Sequence, residues 1–199
     1  MEGRRYKADI AVGNEGLRLL DQPTVDYNKK RRHRWKPKKV LLRGNHEERR
    51  NRAMNDAAEL EGALEEFDDR DWEVHEFLEV VDLDGISYSH YFYNPNTGRP
   101  YCGENMKLRL KTIGRSFTQG HQQGCDYGHR PVGKSRHHGL VLGSTYLHDE
   151  KYLGPQGNDC WRGIVVCHQV ERGQYDPMFV SLEYLCRRYE NKTLKEFLK

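Results

Sequence analysis

A glycine, an amide, an imidazole and a carboxylate follow one another at Gly44-Asn45-His46-Glu47, directly after the apolar run Val40-Leu41-Leu42-Arg43. An amide oxygen can ligate a divalent cation, and a neighbouring imidazole can give a proton to a leaving group, while Gly44 permits a tight turn beneath both side chains. The same four residues also fit a plain strand–turn–helix junction in which Asn45 caps the helix. Two further histidines stand where strands should end: His90, and His121 in Gly120-His121-Gln122-Gln123, where a glycine suits a close backbone approach to a ligand. Either could equally be a strand histidine satisfied by a neighbouring backbone group.

Elements must deliver these side chains. Tyr6, Ile10, Leu17 and Leu20 recur at near-helical spacing, with Pro23 as the stop. The basic block from Asp26 reads as a second helix ending before Pro37. Residues Lys39 to Arg43 read as a buried strand, Glu47 to Leu60 as a helix whose start faces the candidate site, and Glu61 to Phe67 as a short acidic helix. From Trp72 the period moves towards two, and Phe77 to Leu83 and Ile86 to Phe92 read as a hairpin turning at Asp84-Gly85. Glu104 to Lys111 reads as a helix. Strands are expected at Arg115 to Gln119, Gly139 to Thr145, Gly163 to Val170 and Met178 to Tyr184. With no repeat or low-complexity linker, the expectation is one layered α/β domain over 1–199, helical and basic over 1–37 and motif-bearing over 38–199.

Composition sets outer bounds. The chain has 199 residues, of which 36% are hydrophobic and 32% charged, so it carries a generous polar surface; mean hydropathy is −0.98. No apolar run approaches the ~20 residues of a membrane span, and Met1-Glu2-Gly3-Arg4-Arg5 opens no secretory signal, so a cytoplasmic location with no membrane partner is expected. The five cysteines (Cys102, Cys125, Cys160, Cys167 and Cys186) are odd in number and scattered, which argues for free thiols over a disulfide framework. A zinc site from Cys125, His129, Cys160 and His168 fits no common spacing. Net charge is only +3, but Lys29 to Lys39 is densely basic around Trp35, while Glu59 to Asp84 is acidic. Such a block can bind nucleic acid by neutralising phosphates and stacking bases, or be a solvated helix face.

The ordered series Gly44-Asn45-His46-Glu47, then His90, then Gly120-His121 resembles the calcineurin-like metallophosphoesterases, compact members of which occur in tailed-phage and bacterial sequences. The resemblance runs from about Lys38 to the C-terminus. It implies a two-sheet β-sandwich flanked by helices, the metallo-dependent phosphatase fold, and hydrolysis of phosphodiesters or monoesters, nucleic acid among them, by a metal-activated hydroxide. It makes Asn45, His90 and His121 ligands of the second metal, with Gln123 in the place of a further ligand, and His46 the general acid. Arg43 and Glu47, beside that loop, are the candidates for contact with substrate phosphate. The implied cofactors are divalent ions, manganese, iron, zinc or nickel.

The departures from that series are as specific as the matches. No Asp-x-His precedes Asn45, Gly-Asp occurs nowhere, and Gln123 stands where the family has a first-metal histidine. An amide is a weaker ligand for a transition metal than imidazole. Two ions are therefore implied for the complete family site and at most one for these residues. The reading that follows is a fold incomplete at its N-terminal side, with little or no activity by itself and with a separate segment supplying the missing strands as a partner. A degenerate member without chemistry, or a non-enzymatic nucleic-acid-binding or interaction protein using residues 29–39, is the alternative.

Overall fold

The computed structural model describes residues 6–64, 67–101, 105–146 and 160–198. They form a mixed α/β protein with a five-stranded mixed sheet, two small two-stranded sheets and several helices. The chain divides into two units, Met1–Phe77 and Leu78–Lys199. Among the described residues no helix is long and apolar enough to cross a membrane.

In the first unit, helix α1 (Tyr6–Lys29) is followed by strand β1 (Val40–Leu42), helix α2 (Asn45–Asp56), one 3-10 turn (Ala58–Leu60) and strand β2 (Glu73–His75). β1 and β2 pair in parallel, Val40 opposite Glu73 and Leu42 opposite His75. Four sequence expectations need correction here. Pro23 lies inside α1 and does not stop it; the residue is exposed, so the carbonyl it leaves without an amide partner faces water. The basic block continues α1 only to Lys29 and is then irregular to Lys39, because successive like charges one turn apart repel in a helix. β1 is half-buried, not buried, since a two-stranded sheet covers little of its own surface. Glu61 to Phe67 is no helix over its described residues: Gly62 sits at φ 75°, outside helical space, and 65–66 lie outside the described residues.

The second unit is built on the sheet order β3-β4-β5-β7-β6. Strands β3 (Val81–Leu83) and β4 (Ile86–Ser89) form the expected hairpin but are shorter than expected: Phe77 to Val80, with Leu78 at φ 67°, and His90 to Phe92 lie outside the strands. Its turn, Asp84 at φ 51° and Gly85 at φ 84°, is the two-residue connection that matches strand twist. Helix α3 (Met106–Ile113) then crosses to β5 (Ser116–Gln119), which runs parallel to β4. Asn105 caps α3 by accepting from Leu108 N–H at 3.1 Å, and Gly114 ends it at φ 78°. Glu104, the expected start of α3, lies outside the described residues, as does Cys102. β6 (Asp126–Val132) and β7 (Ser135–Val141) form a second hairpin, with β7 parallel to β5.

The core lies between α3 and this sheet: Met106, Leu110, Phe117 and Val141 pack together, with Phe92 and Ile113 against them. Gly139 makes that packing possible, because a Cβ there would stand 2.5 Å from Met106 Sδ and 2.9 Å from the Phe117 ring. A last hairpin, β8 (Gly163–Glu171) and β9 (Gln174–Ser181), stacks Tyr175 on His138 of β7 at 4.7 Å and Phe179 on Tyr127 of β6 at 5.8 Å. Ser116 Oγ also donates to Gly173 O at 2.6 Å. Short helices α4 (Leu182–Leu185) and α5 (Leu194–Phe197) flank a π turn at Cys186–Glu190, so the strand expected over Met178 to Tyr184 ends at Ser181, which caps α4 by accepting from Tyr184 N–H. Cys125, Cys160, Cys167 and Cys186 are free thiols.

Candidate functional site

The parallel pairing of β4 with β5 decides where two of the singled-out histidines go. Ser89 is opposite Gln119, so His90 and His121 leave the carboxyl ends of adjacent strands together. His90 Nε2 and His121 Nδ1 are 3.1 Å apart, with ring centroids at 4.9 Å and planes at 68°. Tyr91 closes on the His121 ring at 4.8 Å. Gly120 N–H donates to His90 O at 3.2 Å, and the buried Gln119 side chain accepts from Phe92 N–H at 3.3 Å, so both histidines hang from fully hydrogen-bonded strand ends.

The loop after β5 is strained. Gln122 N–H donates back to Gly120 O at 2.8 Å and Gly124 N–H to Gln122 O at 2.6 Å, and the central residues His121 and Gln123 lie at φ 65° and 58°. These are successive γ-turns of the rare positive-φ kind, which persist only where the surroundings over-determine them.

Beyond the loop a polar chain continues. Tyr146 Oη donates to Gln123 Oε1 at 3.1 Å and lies 4.0 Å from Cys160 Sγ; Ser144 Oγ is 3.4 Å from the same sulfur. The buried Arg162 guanidinium lies over the Tyr146 ring at 5.1 Å. Burial by itself would push the Cys160 thiol up, but hydrogen bonds from Ser144, Tyr146 and Arg162, with the Arg162 charge, leave it below its ordinary value. Burial, then the contact with Cys160, pushes the Tyr146 phenol up. Gln123 is thus positioned by a phenol that itself sits on a thiol.

The first unit holds the other singled-out residues. Gly44, in extended conformation, is the N-cap of α2, and Asn45 is the first helical residue, not the cap. Glu47 turns back to accept from Gly44 N–H at 2.7 Å, half of a capping box. Arg43 donates to Glu76 at 2.9 Å and to Asp69 at 3.0 Å, so a phosphate there would have to displace a carboxylate. Arg49, one turn on, reaches within 3.5 Å of His46 Nε2, and a guanidinium only donates, so this nitrogen is the acceptor in that arrangement.

Does the donor set fit a divalent ion? Two imidazole nitrogens on one tetrahedral zinc, each at about 2.0–2.1 Å, are separated by roughly 3.3 Å, close to the 3.1 Å between His90 and His121. The separation is compatible with one ion between the rings, and without an ion it is that of an N–H···N hydrogen bond. Among the described residues no group of three or more His, Cys, Asp or Glu gathers around a common point, so oxygen donors from amides would have to complete the shell. Sequence reasoning missed Tyr91, Tyr146 and Arg162, which no short motif marks, and weighed Cys160 only in a zinc grouping with Cys125, His129 and His168. Their one signal was proximity in sequence to strand ends. Comparison with protein-family models, with curated proteins and with solved structures returned no match.

Proposed function

We propose that this chain is a calcineurin-like metallophosphoesterase, a metal-dependent phosphoester hydrolase whose complete fold is a two-sheet sandwich flanked by helices. The observation that carries the reading is the facing pair His90 and His121, delivered by adjacent parallel strands in the order that the resemblance requires. His90 and His121 would hold one divalent ion, with Gln123 of the same unit contributing an amide oxygen. When bound, such an ion lowers the pKa of water and neutralises charge on a phosphate ester. In the first unit, His46 is the proton donor that the resemblance implies; with Nε2 accepting from Arg49, Nδ1 is the nitrogen that would carry the proton. Tyr146 holds Gln123 by a hydrogen bond and so fixes which way its amide oxygen points. Arg43 and Glu47 are the remaining candidates for phosphate contact. A separate segment carrying Asp-x-His and Gly-Asp would supply the carboxylates of a second site.

Calorimetric titration of the full chain with manganese or zinc tests the ligand assignment. One weak site is expected, lost in His90→Ala and in His121→Ala and kept in His46→Ala. Two tight sites, or binding that survives both histidine substitutions, would remove the pair from the assignment. With the complementing segment added, hydrolysis of an aryl phosphodiester should fall roughly 10²–10⁴-fold in His46→Ala with metal still bound, whereas equal turnover would take His46 out of the mechanism.

A further inference from the structure

The basic block that sequence alone suggested as a helix folds back on the end of α1. The Asn28 side chain clamps it: Oδ1 accepts from Trp35 N–H at 2.8 Å and Nδ2 donates to Trp35 O at 2.7 Å. Both backbone groups of one residue are held by one amide, which fixes where the Trp35 ring emerges. That ring stands edge-on to Tyr27 at 6.3 Å, and the two remain 56% and 48% exposed. Large aromatic surface kept in water by a dedicated hydrogen-bonded clamp has no purpose in packing.

The charges around these rings divide into two sets. Lys29 pairs with Asp26, Lys38 with Glu73 and Lys39 with Asp21. Lys30 acts on Asp26 only through space; among the described residues Arg31, Arg32, Arg34 and Lys36 make no ion pair with a carboxylate, and Arg31 lies over the Tyr27 ring at 5.0 Å. Unrelieved cations interleaved with exposed rings match a polyanion whose repeating unit carries both a phosphate and a flat apolar face. A single strand offers the faces of its bases; a duplex hides them. An anionic lipid surface offers the charge but asks for an apolar face to insert, and here each ring is flanked by cations.

We propose that residues 27–36 form a binding site for single-stranded nucleic acid, in which Trp35 and Tyr27 stack on bases while the unpaired cations neutralise phosphates. The site lies wholly in the first unit and stands whether or not the hydrolase reading holds.

The test is fluorescence anisotropy of the full chain with a labelled oligothymidylate, repeated across salt concentrations and against a duplex of equal length. Single-strand binding should weaken with salt at a log–log slope of about −3 to −4, from roughly −0.7 for each phosphate neutralised. Trp35→Ala should weaken it ~5-fold or more at unchanged thermal midpoint, and Arg32→Glu with Arg34→Glu should flatten the salt slope even if Trp35→Ala is poorly folded. Tighter binding to the duplex, insensitivity to both variants, or displacement of the oligonucleotide by phosphatidylserine-containing vesicles in preference to unlabelled strand would overturn the proposal.

Discussion

The two units keep their chemistry-bearing residues in place by different physics. Among the described residues the first unit buries only one hydrophobic side chain, Ile10, and that incompletely, whereas the second buries Ile86, Leu110, Phe117, Leu140 and Val141 to the point of near-zero exposure. In compensation the first unit is laced with charge: Arg43 with Asp69 and Glu76, Lys39 with Asp21, Lys38 with Glu73, Arg70 with Asp68. The exposed pairs Lys38–Glu73 and Arg70–Asp68 contribute little each, whereas Arg43 with Asp69 and Lys39 with Asp21 are partly shielded from solvent. The lesson is that Asn45 and His46 ride on a helix start held by hydrogen bonds and ion pairs, while His90 and His121 are set by strands that cannot shift without disturbing a packed core.

The sharpest way to break this contrast is to cut each interior. Phe117→Ala should cost about 3–5 kcal/mol of stability by urea unfolding, and Ile10→Ala no more than about 2 kcal/mol. Equal losses would show that the first unit has a core of comparable weight. Next in size is the cap of α2: Glu47→Gln removes the charged acceptor for Gly44 N–H and should lower stability by about 1 kcal/mol, with loss of helical signal in circular dichroism. No change in either would mean that α2 is held by something other than its first turn.

The smallest effect separates the units by pH. Burial, reinforced by the charges of His129 and Arg136, holds the His138 imidazole below its ordinary value. A depressed folded pKa makes the unfolded chain bind the proton first, so this contribution is complete above about pH 6.5 and is lost as pH falls below it. In the first unit, hydrogen bonding to Lys38 and then to His75 lowers Glu73, and Arg70 lowers Asp68. Their contributions persist to about pH 4 and vanish below it. Urea midpoints between pH 7 and 5 should therefore slope in the wild type and flatten in His138→Phe. A slope unchanged by that substitution would place the titration elsewhere.

What the sequence disclosed tracks how local the cause was. The β3–β4 turn was legible because Asp84-Gly85 demands positive φ, and α3 was placed two residues early because its caps, Asn105 and Gly114, went unread. β6 was missed because Gly128 and Pro131 look like breakers, yet β6 is the edge strand of its sheet, where proline is tolerated. β2 has only three residues, too few to show a period. The helix read into the basic block failed because a side chain seven residues away, Asn28, offers the backbone of Trp35 a better partner than another turn would. His90 and His121 were placed at strand ends correctly, but their facing nitrogens depend on β4–β5 register, a long-range fact. Tyr146, Cys160 and Arg162 join them through a different strand crossing still.

The doubled γ-turn at Gly120–Gly124 carries a meaning for how this chain can change over generations. A lineage filtered only for robustness would put glycine at 121 and 123, since positive φ is free of steric cost there and each non-glycine residue gives up roughly 1–3 kcal/mol. On the reading proposed above, the imidazole and the long amide at those two positions are kept at a cost in durability. Substitution towards glycine is thus the open downhill path, and a descendant that took it would be sturdier and lack these two side chains.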